Sequence, residues 1–216
     1  MAMKLAKISI VGCGPGSALY VTEAARRAVA GADVLAGGKR LMELFADGNA
    51  DAERILVDAD IPAVLEQIAA HREAGREIAV LVSGDPGLHS FARNLIRHFG
   101  REHCEIVPAV SSVQVAFARL GIDWANARIV SAHGRTPTVG SDDLGRADKI
   151  AILAGTKEAL RWSAAMAAAL QASHAAFLAE NLTLHDERFQ PITASQLDTI
   201  DAAALSIVLL IQKDSL

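Results

Sequence analysis

The chain is poor in several residue types, and each shortage excludes something. Two cysteines in 216 residues, Cys13 and Cys104, are too few for a disulfide framework or a cysteine-ligated zinc site. Lys and Arg number 21 against 25 Asp and Glu, a net charge of −4, and no long basic run occurs. Non-specific nucleic-acid binding rests on phosphate neutralisation, so this balance argues against it. No apolar run reaches the roughly 18 residues of a membrane span, and residues 1–7 lack the apolar stretch of a secretory signal. The expectation is a cytoplasmic protein with no membrane, nucleic-acid or metal partner. Aromatic residues make up only 4% while hydrophobic residues reach 51%, so the core must be built mainly from Ala, Val, Leu and Ile.

What the sequence does have is alternation. Residues 8–11, 33–36, 54–57, 78–82 and 105–107 read as strands. Residues 21–30, 39–45, 62–74, 88–99 and 113–120 read as helices. The third helix has Pro62 near its start, Gly75 placed to end it, and Val64, Leu65, Ile68 and Ala69 on one face. Ile78-Ala79-Val80-Leu81-Val82 is apolar throughout, as befits a strand buried on both faces. This order predicts an α/β fold with a mainly parallel, helix-covered N-terminal sheet. The pattern loosens around 121–127, which suggests an N-terminal α/β domain at 1–118 and a C-terminal α/β domain at 119–216. The second half offers strands at 128–131, 150–154, 175–178 and 206–211, and an Ala-rich helix at 157–170. Residues 136–145, with a Pro, two Gly, a Ser and two Asp, read as a mobile surface loop.

Three loops carry the chemistry, each just after a predicted strand. They are Gly12-Cys13-Gly14-Pro15-Gly16, Ser83-Gly84-Asp85-Pro86-Gly87 and Pro108-Ala109-Val110-Ser111-Ser112. Ligands of open α/β sheets bind at the carboxyl ends of strands, so three such loops suggest one cleft lined by backbone. Strand, Gly-x-Gly and helix would suit a phosphate turn. Here, however, Pro15 removes an N–H, and Ser17 stands where the dinucleotide fingerprint wants a third Gly or Ala. Asp33 is at about the distance of a ribose ligand but lies before its strand's apolar core, not at the strand's carboxyl end. The glycine loop alone would still permit a nicotinamide-dependent oxidoreductase. Asp85 has two readings, a ligand for ribose hydroxyls or an ammonium group, or a cap for the next helix. Ser111 and Ser112 have the same two readings. Cys13 reads as a small packing residue.

Together these segments resemble the tetrapyrrole methylases, a family that uses S-adenosylmethionine. Val11-Gly12-Cys13-Gly14-Pro15-Gly16 and Val82-Ser83-Gly84-Asp85-Pro86-Gly87 match motifs of the whole family. Gly37-Gly38-Lys39-Arg40-Leu41, Val110-Ser111-Ser112-Val113-Gln114 and Ser131-Ala132-His133-Gly134-Arg135 point to the branch that methylates C5 of a corrin precursor. Leu120-Gly121-Ile122-Asp123-Trp124, Ala179-Glu180-Asn181-Leu182-Thr183 and Asp186-Glu187-Arg188 extend the match toward the end of the chain. Ser17, often acidic in relatives, and Ala109, often Gly, depart from the pattern.

The resemblance implies two α/β domains of the tetrapyrrole methylase type with S-adenosyl-L-methionine in the cleft between them. On that pattern Pro15, Gly84, Asp85 and Leu88 line the methionine and ribose end, and Ser111 and Ser112 complete that wall. Leu153, Asn181 and Leu182 flank the adenine. The corrinoid substrate bears many carboxylates while the protein is net acidic, so local cations must hold it. Lys39, Arg40 and Arg135, in or beside strand-end loops, are the candidates. His133 is the candidate catalytic group, for substrate binding or proton removal, with a structural role as the alternative. The resemblance also favours a homodimer. Some relatives carry a second domain that methylates C15 with decarboxylation. This chain ends at Leu216, so a separate C15-methylating decarboxylase is the expected partner.

Overall fold

The computed structural model describes residues 6–134 and 136–216. It divides into two compact units, the first ending at Ser111 and the second beginning at Ser112. The first unit runs β1 (Ile8–Gly12), α1 (Glu23–Ala30), β2 (Val34–Gly37), α2 (Lys39–Glu43), β3 (Glu53–Leu56), α3 (Ile61–Glu73), β4 (Ile78–Val82), α4 (Ala92–Phe99) and β5 (Cys104–Val107). Its five strands lie in the order β3-β2-β4-β1-β5, and every pairing is parallel.

Side chains alternate across this sheet because successive residues of a strand point to opposite faces. Val11, Leu35, Ala79 and Leu81 pack with Ala25 and Val29 of α1 and Leu41 and Met42 of α2. Ile8, Ile10, Val34, Val80 and Val82 pack on the other face with Val64 and Ile68 of α3 and Leu95 of α4. Each large side chain so buried contributes roughly 1.5–3 kcal/mol. The unbroken apolar run of β4 is thereby explained, since helices cover both its faces. Side-chain caps fix the helix starts locally. Thr22 accepts a hydrogen bond from the Ala25 N–H to open α1, and Asp60 accepts one from Ala63 to open α3.

The arrangement of crossovers matters for function. The chain leaves β1 for α1 on one face and leaves the adjacent β4 for α4 on the opposite face. Their loops part at the carboxyl ends, which makes this the topological switch point where such sheets bind ligands.

The second unit runs α5 (Ser112–Leu120), β6 (Arg128–Ser131), α6 (Ser141–Leu144), β7 (Lys149–Leu153), α7 (Lys157–Leu170), β8 (His174–Glu180), β9 (Arg188–Pro191), α8 (Ala194–Thr199) and β10 (Ser206–Gln212). Its sheet order is β6-β7-β10-β8-β9. Only β6 and β7 pair in parallel; β10 is antiparallel to β7 and β8, and β9 to β8. One face carries Ile150, Ile152, Leu178, Val208 and Leu210 against α6, α7 and α8. The core of both units is almost wholly aliphatic, as the scarcity of aromatics requires; Phe117 is its largest fully buried side chain.

Two expectations are corrected, and two elements are new. The boundary lies at Ser111/Ser112 and not at 118/119, because α5 packs against β10 and buries Val113, Ala116 and Phe117. Residues 136–145 are not all loop: α6 forms within them and sinks Leu144 fully into the core. Strand β9 and helix α8 were not foreseen. The first is a polar edge strand without alternation, and the second is a single short helix fixed by a Thr193–Gln196 capping box. Among the described residues no helix is long and apolar enough to cross a membrane.

Candidate functional site

The three loops meet in the first unit. Gly12, at the end of β1, is the point of contact: a Cβ there would lie 2.7 Å from the Ala109 Cβ, 2.7 Å from the Pro86 Cδ and 2.9 Å from the Gly84 carbonyl oxygen. Gly14 and Gly84 then form a two-way backbone bridge. The Gly84 N–H donates to the Gly14 carbonyl at 2.9 Å, and the Gly14 N–H donates back at 3.3 Å. Both residues hold positive φ, 77° and 64°, which L side chains rarely adopt.

Asp85 closes the assembly. Its Oδ1 accepts from the Gly87 N–H at 2.8 Å and its Oδ2 from the Ala109 N–H at 2.9 Å, so the second loop is tied to the third. Asp85 caps no helix: α4 begins only at Ala92, later than the expected start at residue 88. A carboxylate has about four lone-pair sites, and two are used here. Asp85→Ala removes both ties. About a tenfold loss of S-adenosylhomocysteine affinity is expected by calorimetry, the scale of one charge-assisted hydrogen bond. Unchanged affinity would limit Asp85 to shaping the turn.

Other expected residues gather at the same sheet end. Pro15 and Ser111 are buried in the first and third loops, and Leu88 lies in the turn after Asp85. Lys39 and Arg40 open α2, just past β2. Lys39 is exposed. The Arg40 guanidinium donates from Nη2 to the Ser83 hydroxyl at 3.0 Å, while its buried Nη1 has no hydrogen-bond partner among the described residues. A buried, unpaired guanidinium nitrogen calls for an anionic acceptor.

Cys13 is fully buried, and burial pushes its thiol up to about 12. It is a packing residue, not a nucleophile. Iodoacetamide at pH 8 is expected to leave Cys13 unmodified in the folded protein and to label it in urea, read by mass spectrometry. The unfolded thiol ionises near 9.0, so its stabilising effect stays whole below that pH and fades as the pH climbs toward 12.

Sequence reasoning overlooked His89. It sits four residues past Asp85 with φ at 47°, a strained value for a non-glycine residue. Partial burial, then the positive Arg93, lowers its pKa, so the imidazole is neutral at pH 7. Only its backbone conformation marks it out, and that is not readable from sequence.

In the second unit the expected residues also share a sheet end. His133 follows β6, Leu153 ends β7, and Asn181 and Leu182 follow β8; these three strands run the same way. His133 is exposed, and its Nδ1 would lie 3.0 Å from a Cβ at residue 155. Leu182 is buried. Asn181 and Thr183 hold positive φ, 47° and 73°, in a loop that is tightly tied. Glu187 accepts from the Thr183 N–H at 2.6 Å and from both Nε and Nη2 of Arg119. Arg119 thereby holds the Glu187 carboxyl below the usual carboxylate range. Ser112 is the first residue of α5. Arg135 lies outside the described residues.

Asp33 separates two readings of the glycine loop. Its carboxylate accepts from the Glu77 N–H at 2.9 Å at the amino end of the sheet, opposite the loops, and cannot serve a ribose there. Helix α1 begins only after its Thr22 cap, well past Gly16, and the glycine loop runs instead into a single 3-10 turn, Ala18–Tyr20, capped by Ser17. The dinucleotide signature therefore fails in geometry as well as in sequence.

This architecture is that of a methylase of tetrapyrroles. Residues 7–198 match the family profile of the tetrapyrrole (corrin/porphyrin) methylases, and the chain belongs to that family. Among its relatives is the cobalt-precorrin-7 C(5)-methyltransferase of Salmonella typhimurium, 37% identical over 195 residues that span 88% of this chain and 94% of the relative. The crystal structure of the cobalamin biosynthesis precorrin-6Y methylase of Archaeoglobus fulgidus superposes with a TM-score of 0.72 at 27% identity, covering 96% of this chain and 98% of that one. The fold is shared as well with the uroporphyrin-III C-methyltransferase of Thermus thermophilus, solved with S-adenosylhomocysteine, at a TM-score of 0.78 and 18% identity over 95% of this chain and 97% of that one.

Proposed function

We propose that the protein transfers a methyl group from S-adenosylmethionine to C5 of a precorrin or cobalt-precorrin in cobalamin biosynthesis. The observation that carries this is the convergence of the three loops at Gly12, in a family whose members methylate tetrapyrroles. The donor set fits the cofactor. The loops offer backbone groups, small hydroxyls and an Asp85 carboxylate with lone pairs to spare for ribose hydroxyls or the methionine ammonium. They do not form a row of N–H groups for phosphate, because Pro15 interrupts it. Pro15, Gly84, Asp85, Leu88 and Ser111 of the first unit are proposed for the methionine and ribose part. Ser112, Leu153, Asn181 and Leu182 of the second are proposed to contact the cofactor as well, the last three at the adenine. When bound, the cofactor supplies an electrophilic methyl group on a sulfonium.

The protein's own work is then chiefly alignment, and positioning of reactants supplies up to roughly 7–11 kcal/mol in the best cases. Arg40 holds a peripheral carboxylate of the macrocycle through its unpaired Nη1, with Lys39 and Arg135 assisting. His133 accepts the proton that the methylated macrocycle loses. No corresponding nucleophile is needed, and the buried Cys13 supplies none. A homodimer is proposed on the family resemblance; sedimentation is expected to read twice the 22.7 kDa chain mass. A separate C15-methylating decarboxylase is proposed as the partner activity.

Calorimetry tests the class directly. S-adenosylhomocysteine is expected to bind in the micromolar range, about −8 kcal/mol, and NAD not at all. NAD binding without S-adenosylhomocysteine binding would restore the oxidoreductase reading.

A further inference from the structure

Glu180 is a buried acidic side chain of the second unit whose hydrogen bonding is incomplete. It ends β8 and is fully buried. Its Oε1 accepts from Arg188 Nη2 at 2.9 Å and from the Ala203 N–H at 3.0 Å, while its buried Oε2 has no partner among the described residues. A half-satisfied buried carboxylate costs free energy, and apolar replacements of buried ion pairs are often neutral or stabilising. Departures of this kind in a folded protein tend to mark functional positions.

The bonds of Glu180 indicate what that function is. Ala203 lies in the run that leads into β10, and that run is joined to the ends of its neighbours. The Leu205 carbonyl accepts from the Asn181 N–H at 3.0 Å, and the Ser206 carbonyl from the Ala154 N–H at 2.9 Å. The Ser206 hydroxyl donates to the Ala203 carbonyl at 2.5 Å. The Ala204 carbonyl would lie 2.2 Å from a Cβ at residue 155, a distance only glycine permits. The run held by Glu180 therefore fixes the backbone at Asn181 and directly after Leu153, two of the positions proposed to flank adenine. An adenine edge read by backbone groups is only as selective as that backbone is rigid.

We propose that Glu180 is a positioning residue for adenine recognition, acting through the 203–206 run and not by touching the cofactor. This rests on the proposed S-adenosylmethionine site. Wild-type protein and variants are titrated by calorimetry with S-adenosylhomocysteine and with S-inosylhomocysteine, in which a carbonyl replaces the adenine amino group. Wild type is expected to prefer the adenine form. Glu180→Ala is expected to lose about tenfold in S-adenosylhomocysteine affinity and most of that preference. Glu180→Gln keeps an acceptor for the Ala203 N–H and is expected to recover both. Ile150→Val, a cavity in the same unit's core where β7 pairs with Leu210, toward the other end of β10 from this run, is expected to lower the melting temperature and leave the preference intact. If Glu180→Ala does not fold, Ser206→Ala loosens the same run without emptying a charged site, and a smaller loss of the same kind is expected. Failure of wild type to bind S-adenosylhomocysteine would overturn the proposed function itself. Wild-type binding with unaltered affinity and preference in Glu180→Ala, or in Ser206→Ala in its place, would overturn the positioning role alone.

Discussion

Gly12→Ala is expected to weaken S-adenosylhomocysteine binding by about tenfold to a hundredfold and to lower the melting temperature. The added methyl group meets Ala109, Pro86 and the Gly84 carbonyl together, all inside 3.0 Å. Two of these belong to the second loop and one to the third, so no single side chain can swing away. The loops must part, and overpacking of this kind costs roughly 1–3 kcal/mol. Some of that falls on stability and some on the bound state, which needs the Gly14–Gly84 bridge and the Asp85 ties in register. Calorimetry and thermal denaturation on the same preparation separate the two. Normal affinity in a well-folded Gly12→Ala protein would mean that the junction of the loops is not where the cofactor binds.

Arg40→Ala is expected to lower kcat/KM for the corrinoid by about a hundredfold, near 3 kcal/mol, while cofactor affinity holds within twofold. The reasoning starts from the partners of one guanidinium. Nη2 is engaged by Ser83, whereas Nη1 is buried and unpaired among the described residues. Solvation at that nitrogen has been given up with no protein acceptor in return, and a substrate carboxylate restores the balance. Arg40→Lys is expected to recover little, because a lysine cannot both bond Ser83 and present a second donor in the same plane. A parallel fall in cofactor and substrate affinity would instead make Arg40 a support of the loops.

The first unit was largely legible in the sequence. Strands β1, β2 and β4 are mainly apolar runs of four or five residues, Pro62 and Gly75 bracket α3, and the parallel order follows from the alternation of strands and helices. The loops were legible because Gly, Pro and Asp cluster where the chain must turn. What composition could not convey was the convergence on Gly12, which depends on β1 lying between β4 and β5. The second unit was harder. Its strand β9 is a polar edge without alternation, and α8 is too short for a periodic signal. Helix α5 reads as the end of the first half because its apolar face continues the preceding pattern, yet that face is buried against β10. His89 and Glu180 look unexceptional in the sequence. One is distinguished by a backbone angle and the other by an oxygen left without a partner.

Methyl transfer with carbon-13-labelled S-adenosylmethionine tests the central claim most directly. The protein is incubated with enzymatically prepared precorrin-7 or cobalt-precorrin-7, and the label is located by mass spectrometry and carbon NMR. One new methyl group at C5 of the macrocycle is the expected result. A label at another ring carbon, or no transfer to either form by protein that binds S-adenosylhomocysteine tightly, would contradict it.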